Sequence, residues 1–296
     1  MRHGTSSIII RRGMLRASSH YVSTITIFTG PIFFLIIAGV TGDIFKIRQY
    51  PWQAYVFLAL SGISHFALGR TWAYRSIQLI GSNRSNIVTG LSPVVTIVLA
   101  MILFKETITS IMGIGILCTL TGPLLILLEE RGVLIEVQQR TNPYGKEIDS
   151  ATLYRGILYG IGGAVFWGSS AIFIKLGLEN GGSPITGSLI AYVSASIAIC
   201  PSALLNKERR EEIINADKKS LKISLLSGLT TNIAQLTRYL ALGFGSVIVI
   251  SLMQRTVPLW VLLFAFVFNR KLESFSRGVL LGNALIIIGT VLILIS

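Results

Sequence analysis

The chain has 296 residues, of which 52% are hydrophobic and only 13% charged, with a mean hydropathy of +0.69. An ordinary soluble domain carries about 25% charged residues, so this composition argues against a water-solvated globule and for a surface that mostly faces lipid. The net charge of +13 would suggest nucleic acid in a soluble protein; in a chain this apolar it marks basic loops beside a bilayer, and no nucleic-acid partner is expected.

The opening Met1–Arg16 is basic and too poor in apolar residues for a cleavable signal peptide. Apolar segments follow at about 22–41, 53–76, 86–104, 110–128, 155–176, 185–205, 221–243, 247–268 and 277–295. Each is near the roughly 20 residues that an α-helix needs to cross a bilayer core. Between the third and fourth, the hinge Lys105-Glu106-Thr107-Ile108-Thr109 supplies polar groups for the water interface and a capping hydroxyl for the next helix. A polar linker, 129–154, contains Asn142-Pro143 and Gly145, and the charge-dense stretch Asn206–Lys222 suits a short amphipathic surface helix. Cys118 and Cys200 lie in apolar runs without metal or disulfide spacing and read as small packing residues.

The stretch 84–128 is written twice. Aligned with the stretch from Ser246 onward, Pro93 answers to Pro258, Glu106 to Glu273, Gly115 to Gly282 and Gly122 to Gly289. A second match sets Trp167–Gly177 without gaps on His3–Gly13, so Met1–Arg12 reads as the tail of a first helix whose beginning is absent; a free basic tail is the alternative. The fold expected is an all-α membrane protein, an inverted repeat of two five-helix units with about nine full transmembrane helices here, the first of the ten being truncated. The repeats occupy 1–128 and 155–296, joined by the linker. Five is odd, so tandem copies insert in opposite directions, with a site near the midplane between them. Lys and Arg concentrate on one set of loops, which puts the N-terminus in the cytoplasm and the C-terminus outside.

The repeat, helix lengths and hinge motifs resemble the drug/metabolite transporter superfamily, specifically its EamA-like members. Gly81-Ser82 through Pro93 to Glu106 and Gly122 carry the resemblance in one half, and Gly245-Ser246 through Pro258 to Glu273 and Gly289 in the other, with Trp167-Gly168 fitting as well. The resemblance implies ten helices, a central cavity between the halves, export or exchange of small metabolites, both termini in the cytoplasm, and residence in the cell (inner) membrane. The Lys/Arg count departs from it at the C-terminus.

Helical spacing of about 100° per residue sorts the intramembrane polar residues onto faces. Ser251, Gln254, Arg255 and Pro258 share one side of their helix, and their counterparts Asn86, Thr89, Gly90 and Pro93 share the equivalent side of theirs. Thr231, Asn232, Gln235, Arg238 and Tyr239 form another stripe. Ser61, Ser64, His65, Trp72 and Arg75 cluster, while Gly160, Gly163, Ala164, Trp167 and Ser170 form a small-residue face with one large aromatic. The substrate-binding candidates are therefore Arg255, Gln254, Ser251, Pro258, Asn86, Thr89, Pro93, Asn232, Gln235, Arg238, Tyr239, His65, Trp72, Trp167 and Ser170.

Arg255 lies mid-helix, where insertion costs about 2.5–3.5 kcal/mol or more, so it must face protein or water. It anchors a substrate anion or is satisfied by helix carbonyls near Pro258. Arg238 lies nearer a helix end, where snorkelling competes with a buried role. All thirteen Asp and Glu residues lie in loops or at helix ends. A site with uncompensated positive charge favours anions or zwitterions over quaternary cations, and missing intramembrane acids remove the usual proton relay of a drug/H⁺ antiporter. His65 is the remaining group that titrates near neutrality; hydrogen-bonded packing is its other role. Glu106 and Glu273 read as capping residues rather than paired acids. Gly278-x-x-x-Gly282 reads as close helix packing, with a homodimer as the weaker alternative.

These features point to an alternating-access transporter of an amino-acid-like metabolite or organic acid, by facilitated export or exchange. A non-transporting membrane subunit or lipid-binding scaffold of the same fold is the competing reading. No HExxH, acidic metal cluster, P-loop or nucleophile–base pair is visible, so neither enzyme activity, a metal nor a cofactor is expected.

Overall fold

The structure, a computed structural model, describes residues 19–141, 150–206, 210–211, 216, 218–257, 259–260 and 277–296. Among the described residues there are helices and no strands. In chain order they are α1 (Ser19–Thr41), a 3-10 segment (Asp43–Gln49), α2 (Trp52–Gly62), a π-helical segment (Ile63–Gly69), α3 (Arg70–Thr89) and α4 (Ser92–Phe104). There follow α5 (Ser110–Thr141), α6 (Ser150–Glu179), α7 (Pro184–Leu205), α8 (Lys218–Phe244), α9 (Val247–Met253) with a 3-10 turn at Gln254–Thr256, and α10 (Arg277–Leu294). Tyr21–Thr41, Arg84–Phe104, Ser150–Glu179 and Pro184–Ser202 are each long and apolar enough to cross a membrane; Ser110–Ile126, Val247–Thr256 and Leu280–Leu294 are shorter apolar stretches. The expected first-helix tail at Met1–Arg12, together with Glu273 and Pro258, lies outside the described residues.

Local chemistry explains the departures from the expected segment ends. The positive φ of Gly81 (81°) interrupts α3, a conformation open to glycine at little cost. Pro93 falls in the first turn of α4, where a missing N–H leaves no helical bond unmade, and the chain breaks just before it at Gly90-Leu91. Helix α5 continues to Thr141 through much of the expected linker, because nothing stops it before Asn142-Pro143. Thr109 caps α5 as the hinge implied, its Oγ1 accepting from Met112 N at 3.1 Å.

The residues group into two compact units, one of residues up to Leu68 with Ser169–Gly245, the other Gly69–Gly168 with Ser246–Ser296. In the first, Ile27, Phe34, Phe66, Leu189, Tyr192 and Ala195 form the core, with the Tyr192 ring 5.2 Å from Phe34 and 4.4 Å from Phe66. A Cβ at Gly62 would lie 1.9 Å from the Ala191 carbonyl oxygen, so glycine is what lets α2 reach α7. At one end of this unit Ser183 caps α7 and donates to Asp43 at 3.2 Å, while its N–H donates to the Tyr50 hydroxyl at 3.0 Å. Lys46 donates to Asp43 at 2.6 Å, and that hydrogen bond and charge hold the ammonium above the usual lysine range.

In the second unit α5 and α10 run antiparallel with backbones nearly touching. A Cβ on Gly122 would meet Gly282 O at 2.5 Å, and one on Gly115 would meet Gly289 O at 2.9 Å. Small residues permit such approach in lipid, where dispersion between helices replaces the hydrophobic drive. Gly282, of the Gly278-x-x-x-Gly282 pattern, thus serves packing within the chain.

Glu106 caps a helix other than its own neighbour. Its carboxylate accepts from Ser246 Oγ at 2.7 Å and from Val247 N and Ile248 N at 2.9 and 3.2 Å, at the start of α9. A carboxylate there satisfies free N–H groups and lies at the positive end of the helix dipole. Glu106→Ala is expected to cost about 1–2 kcal/mol, seen as a lower detergent-phase melting temperature, with Glu106→Gln intermediate; an unchanged melting point in both would remove the capping role.

Candidate functional site

In the first unit, α2, α6 and α8 converge on one buried polar cluster. Its centre is Arg238, whose side chain is buried among protein rather than reaching for an interface, so snorkelling is not what α8 does with it. Arg238 NH2 donates to Ser170 Oγ at 3.0 Å and NH1 to His65 Nδ1 at 3.1 Å. Gln235 places its amide end 3.3 Å from His65 Nε2, and Ser170 Oγ lies 3.2 Å from Nδ1. Spacing of three along α8 sets Gln235 and Arg238 on one face; His65 comes from the π-helical segment, a form that often marks functional positions. Just beside them the Tyr239 hydroxyl meets Ser61 Oγ at 2.8 Å, and Asn232 reaches Thr29 on α1 at 3.4 Å.

The electrostatics of this cluster are one-sided. Arg238 makes no ion pair with a carboxylate among the described residues, and its Nε, though buried, has no hydrogen-bond partner. Asp43 is taken by Lys46, and Glu179 lies 3.7 Å from Lys175. A buried, uncompensated guanidinium is costly, and an incoming carboxylate or phosphate relieves that cost through charge-assisted hydrogen bonds.

The second unit holds a simpler counterpart. Arg255 NH2 donates to Ser92 Oγ at 2.6 Å, and its Nε is likewise buried without a partner. Ser251 is buried one turn earlier, and Gln254 is exposed. Asn86 is exposed too, whereas Thr89 is buried and donates to the Ser85 carbonyl at 2.9 Å; Pro93 is buried in α4. Trp72 does not join the His65 cluster. It lies in the second unit against Gly162, 5.3 Å from the rings of Tyr159 and Phe166, because the π-helical segment breaks the 100° register between positions 65 and 72. Trp167 is half-buried on α6.

A family profile described as the EamA-like transporter family matches residues 1–128 and 154–295. The chain belongs to the EamA-like transporter family. It is accordingly an integral membrane protein, in a family of membrane transporters within the drug/metabolite transporter superfamily rather than of enzymes. A solved structure titled only "Crystal structure of protein" is similar to this EamA chain at 15% identity, with a TM-score of 0.74, covering 97% of this chain and 90% of the other. That likeness is one of fold. No curated protein matches the chain.

Ser92, Thr29 and Tyr192 were absent from the sequence-derived candidates of this EamA protein. Ser92 carries one sign, its place directly before Pro93 at a helix start. Thr29 and Tyr192 carry none, since a hydroxyl in an apolar helix and a tyrosine in a core look alike in any register.

Proposed function

We propose that this EamA-family protein moves a small anionic or zwitterionic metabolite, amino-acid-like or an organic acid, across the cell (inner) membrane by alternating access, as an exporter or exchanger. The observation that carries the reading is Arg238, a buried guanidinium with a free Nε, hydrogen-bonded to neutral partners and to no carboxylate among the described residues. The substrate's negative group engages Arg238, with Ser170 and Gln235 orienting it.

The architecture in this reading is an inverted repeat of two five-helix units with the first helix shortened. Support comes from the glycine contacts. Gly115 corresponds in sequence to Gly282 and Gly122 to Gly289, yet Gly115 meets Gly289 and Gly122 meets Gly282. Such reciprocal exchange is the signature of a two-fold relation, in which residue i meets j and j meets i.

Purified protein in detergent, melted against carboxylates, amino acids, phosphates and organic cations, tests the proposal. Anions or zwitterions are expected to raise the melting temperature, by about 2.7 kcal/mol of stabilisation at 100-fold over Kd, and to drive counterflow in proteoliposomes. Shifts by organic cations alone would overturn the anion reading. Co-purified phospholipid with no counterflow of any metabolite would favour the lipid-binding scaffold.

A further inference from the structure

We infer that His65 and Arg238 form a linked proton-and-anion site, so that each substrate anion bound at Arg238 brings one proton onto His65. The inference rests on the anion reading above and adds to it a coupling ion.

The contact with Arg238 sets the resting state of the proposed site. A guanidinium only donates, so His65 Nδ1, 3.1 Å from Arg238 NH1, accepts and carries no proton. The imidazole is therefore neutral, with its proton on Nε2. That N–H requires the Gln235 amide to be turned so that its oxygen, rather than the nitrogen placed 3.3 Å away, faces Nε2. Ser170 Oγ accepts from Arg238 NH2 and lies within reach of Nδ1. Arg238 thus faces an imidazole that turns a lone pair, not a proton, towards it.

An imidazolium fits that arrangement poorly, because an Nδ1–H would point at an N–H of a like-charged neighbour, with only Ser170 Oγ, already accepting from Arg238, beside it. Two events remove the obstacle together. An anion takes the Arg238 N–H groups, including the unpartnered Nε, and draws NH1 from Nδ1; a proton from the aqueous phase then occupies the vacated lone pair. The positive charge gained by His65 balances the charge of a monovalent anion, so the buried site keeps the net charge it had. Among the described residues, the titratable groups that interact with the Arg238 guanidinium are His65, Tyr239 on α8 and Tyr192 on α7; α6 contributes the neutral Ser170. Tyr239 is engaged with Ser61. Asp43 and Glu179, each beside a lysine, lie at segment ends.

Isothermal titration of the purified protein with acetate, glutamate and sulfate, none of which changes charge between about pH 6 and 8, reads the coupling directly. Titrations in two buffers of different ionisation enthalpy are expected to give uptake of one proton per anion at neutral pH. Affinity is expected to fall as pH rises, by about tenfold per pH unit wherever one proton is taken up per anion. His65→Asn, which keeps an acceptor for Arg238 but cannot take a proton, is expected to give zero proton uptake and a flat pH profile. In proteoliposomes carrying an internal pH dye, the wild type moves a proton with each anion and H65N does not. Anion binding with no proton uptake in the wild type would overturn this inference alone, Ser170 then satisfying Nδ1. Proton uptake persisting in H65N would overturn it as well, by assigning the proton elsewhere. Binding of none of the three anions would overturn both this inference and the anion reading on which it rests.

Discussion

Arg238→Ala is expected to reduce transport of the substrate anion by at least about 100-fold and to lower the melting temperature. Two charge-assisted hydrogen bonds are lost, each worth about 1.5–3 kcal/mol, and His65 and Ser170 lose their donor inside the protein. Arg238→Lys keeps the charge but replaces a planar fork by a point donor, so it restores folding more than it restores transport. Arg255→Ala removes one hydrogen bond, to Ser92, from a less buried position, and is expected to abolish uptake or efflux in vesicles while the protein still folds. Reconstituted transport with the melting temperature of each variant separates the cases. Wild-type transport by Arg238→Ala would remove Arg238 from substrate binding, and by Arg255→Ala would remove Arg255 from transport.

Gly122→Ala is expected to destabilise the protein by about 1–3 kcal/mol, and Gly122→Val by more. The added Cβ would stand 2.5 Å from the Gly282 carbonyl oxygen and 2.6 Å from Ile286 Cγ1; a backbone atom cannot step aside as a side chain can. Gly113→Ala, on the same helix, is the contrast. Its Cβ finds only Ile108 Cγ2 at 3.9 Å, and removing a helical glycine is expected to gain about 0.5–1 kcal/mol. Thermal unfolding in one detergent measures both. Equal effects of the two alanines would mean that α5 and α10 do not meet at Gly122.

Much of this was legible in residue order because it depends on local chemistry. Apolar runs of bilayer length, Thr109 as a cap and Pro93 at a helix start follow from propensity and from the missing proline N–H. The capping role of Glu106 was readable, but not its target, since the N–H groups it satisfies belong to residues 140 or more positions away. Arg238 was harder. Distance from the end of an apolar segment gave it a route to the interface, and only the convergence of α2 and α6 on α8 shows His65 and Ser170 at its level. Periodicity misplaced Trp72 because it follows a segment that is not α-helical, and an angular reading accumulates error from that point on.

The π-helical segment Ile63–Gly69 also bears on how this chain tolerates insertion and deletion. A wide turn holds one residue more than the α-helix needs, so losing a single residue there would leave a continuous, better-bonded rod. Because the surplus is taken up inside the wide turn, the helix beyond it would keep its facing, with the indole of Trp72 still on the bare backbone of Gly162. A one-residue loss at this point is therefore felt by the residues of the turn itself, His65 among them, and hardly by what lies beyond it.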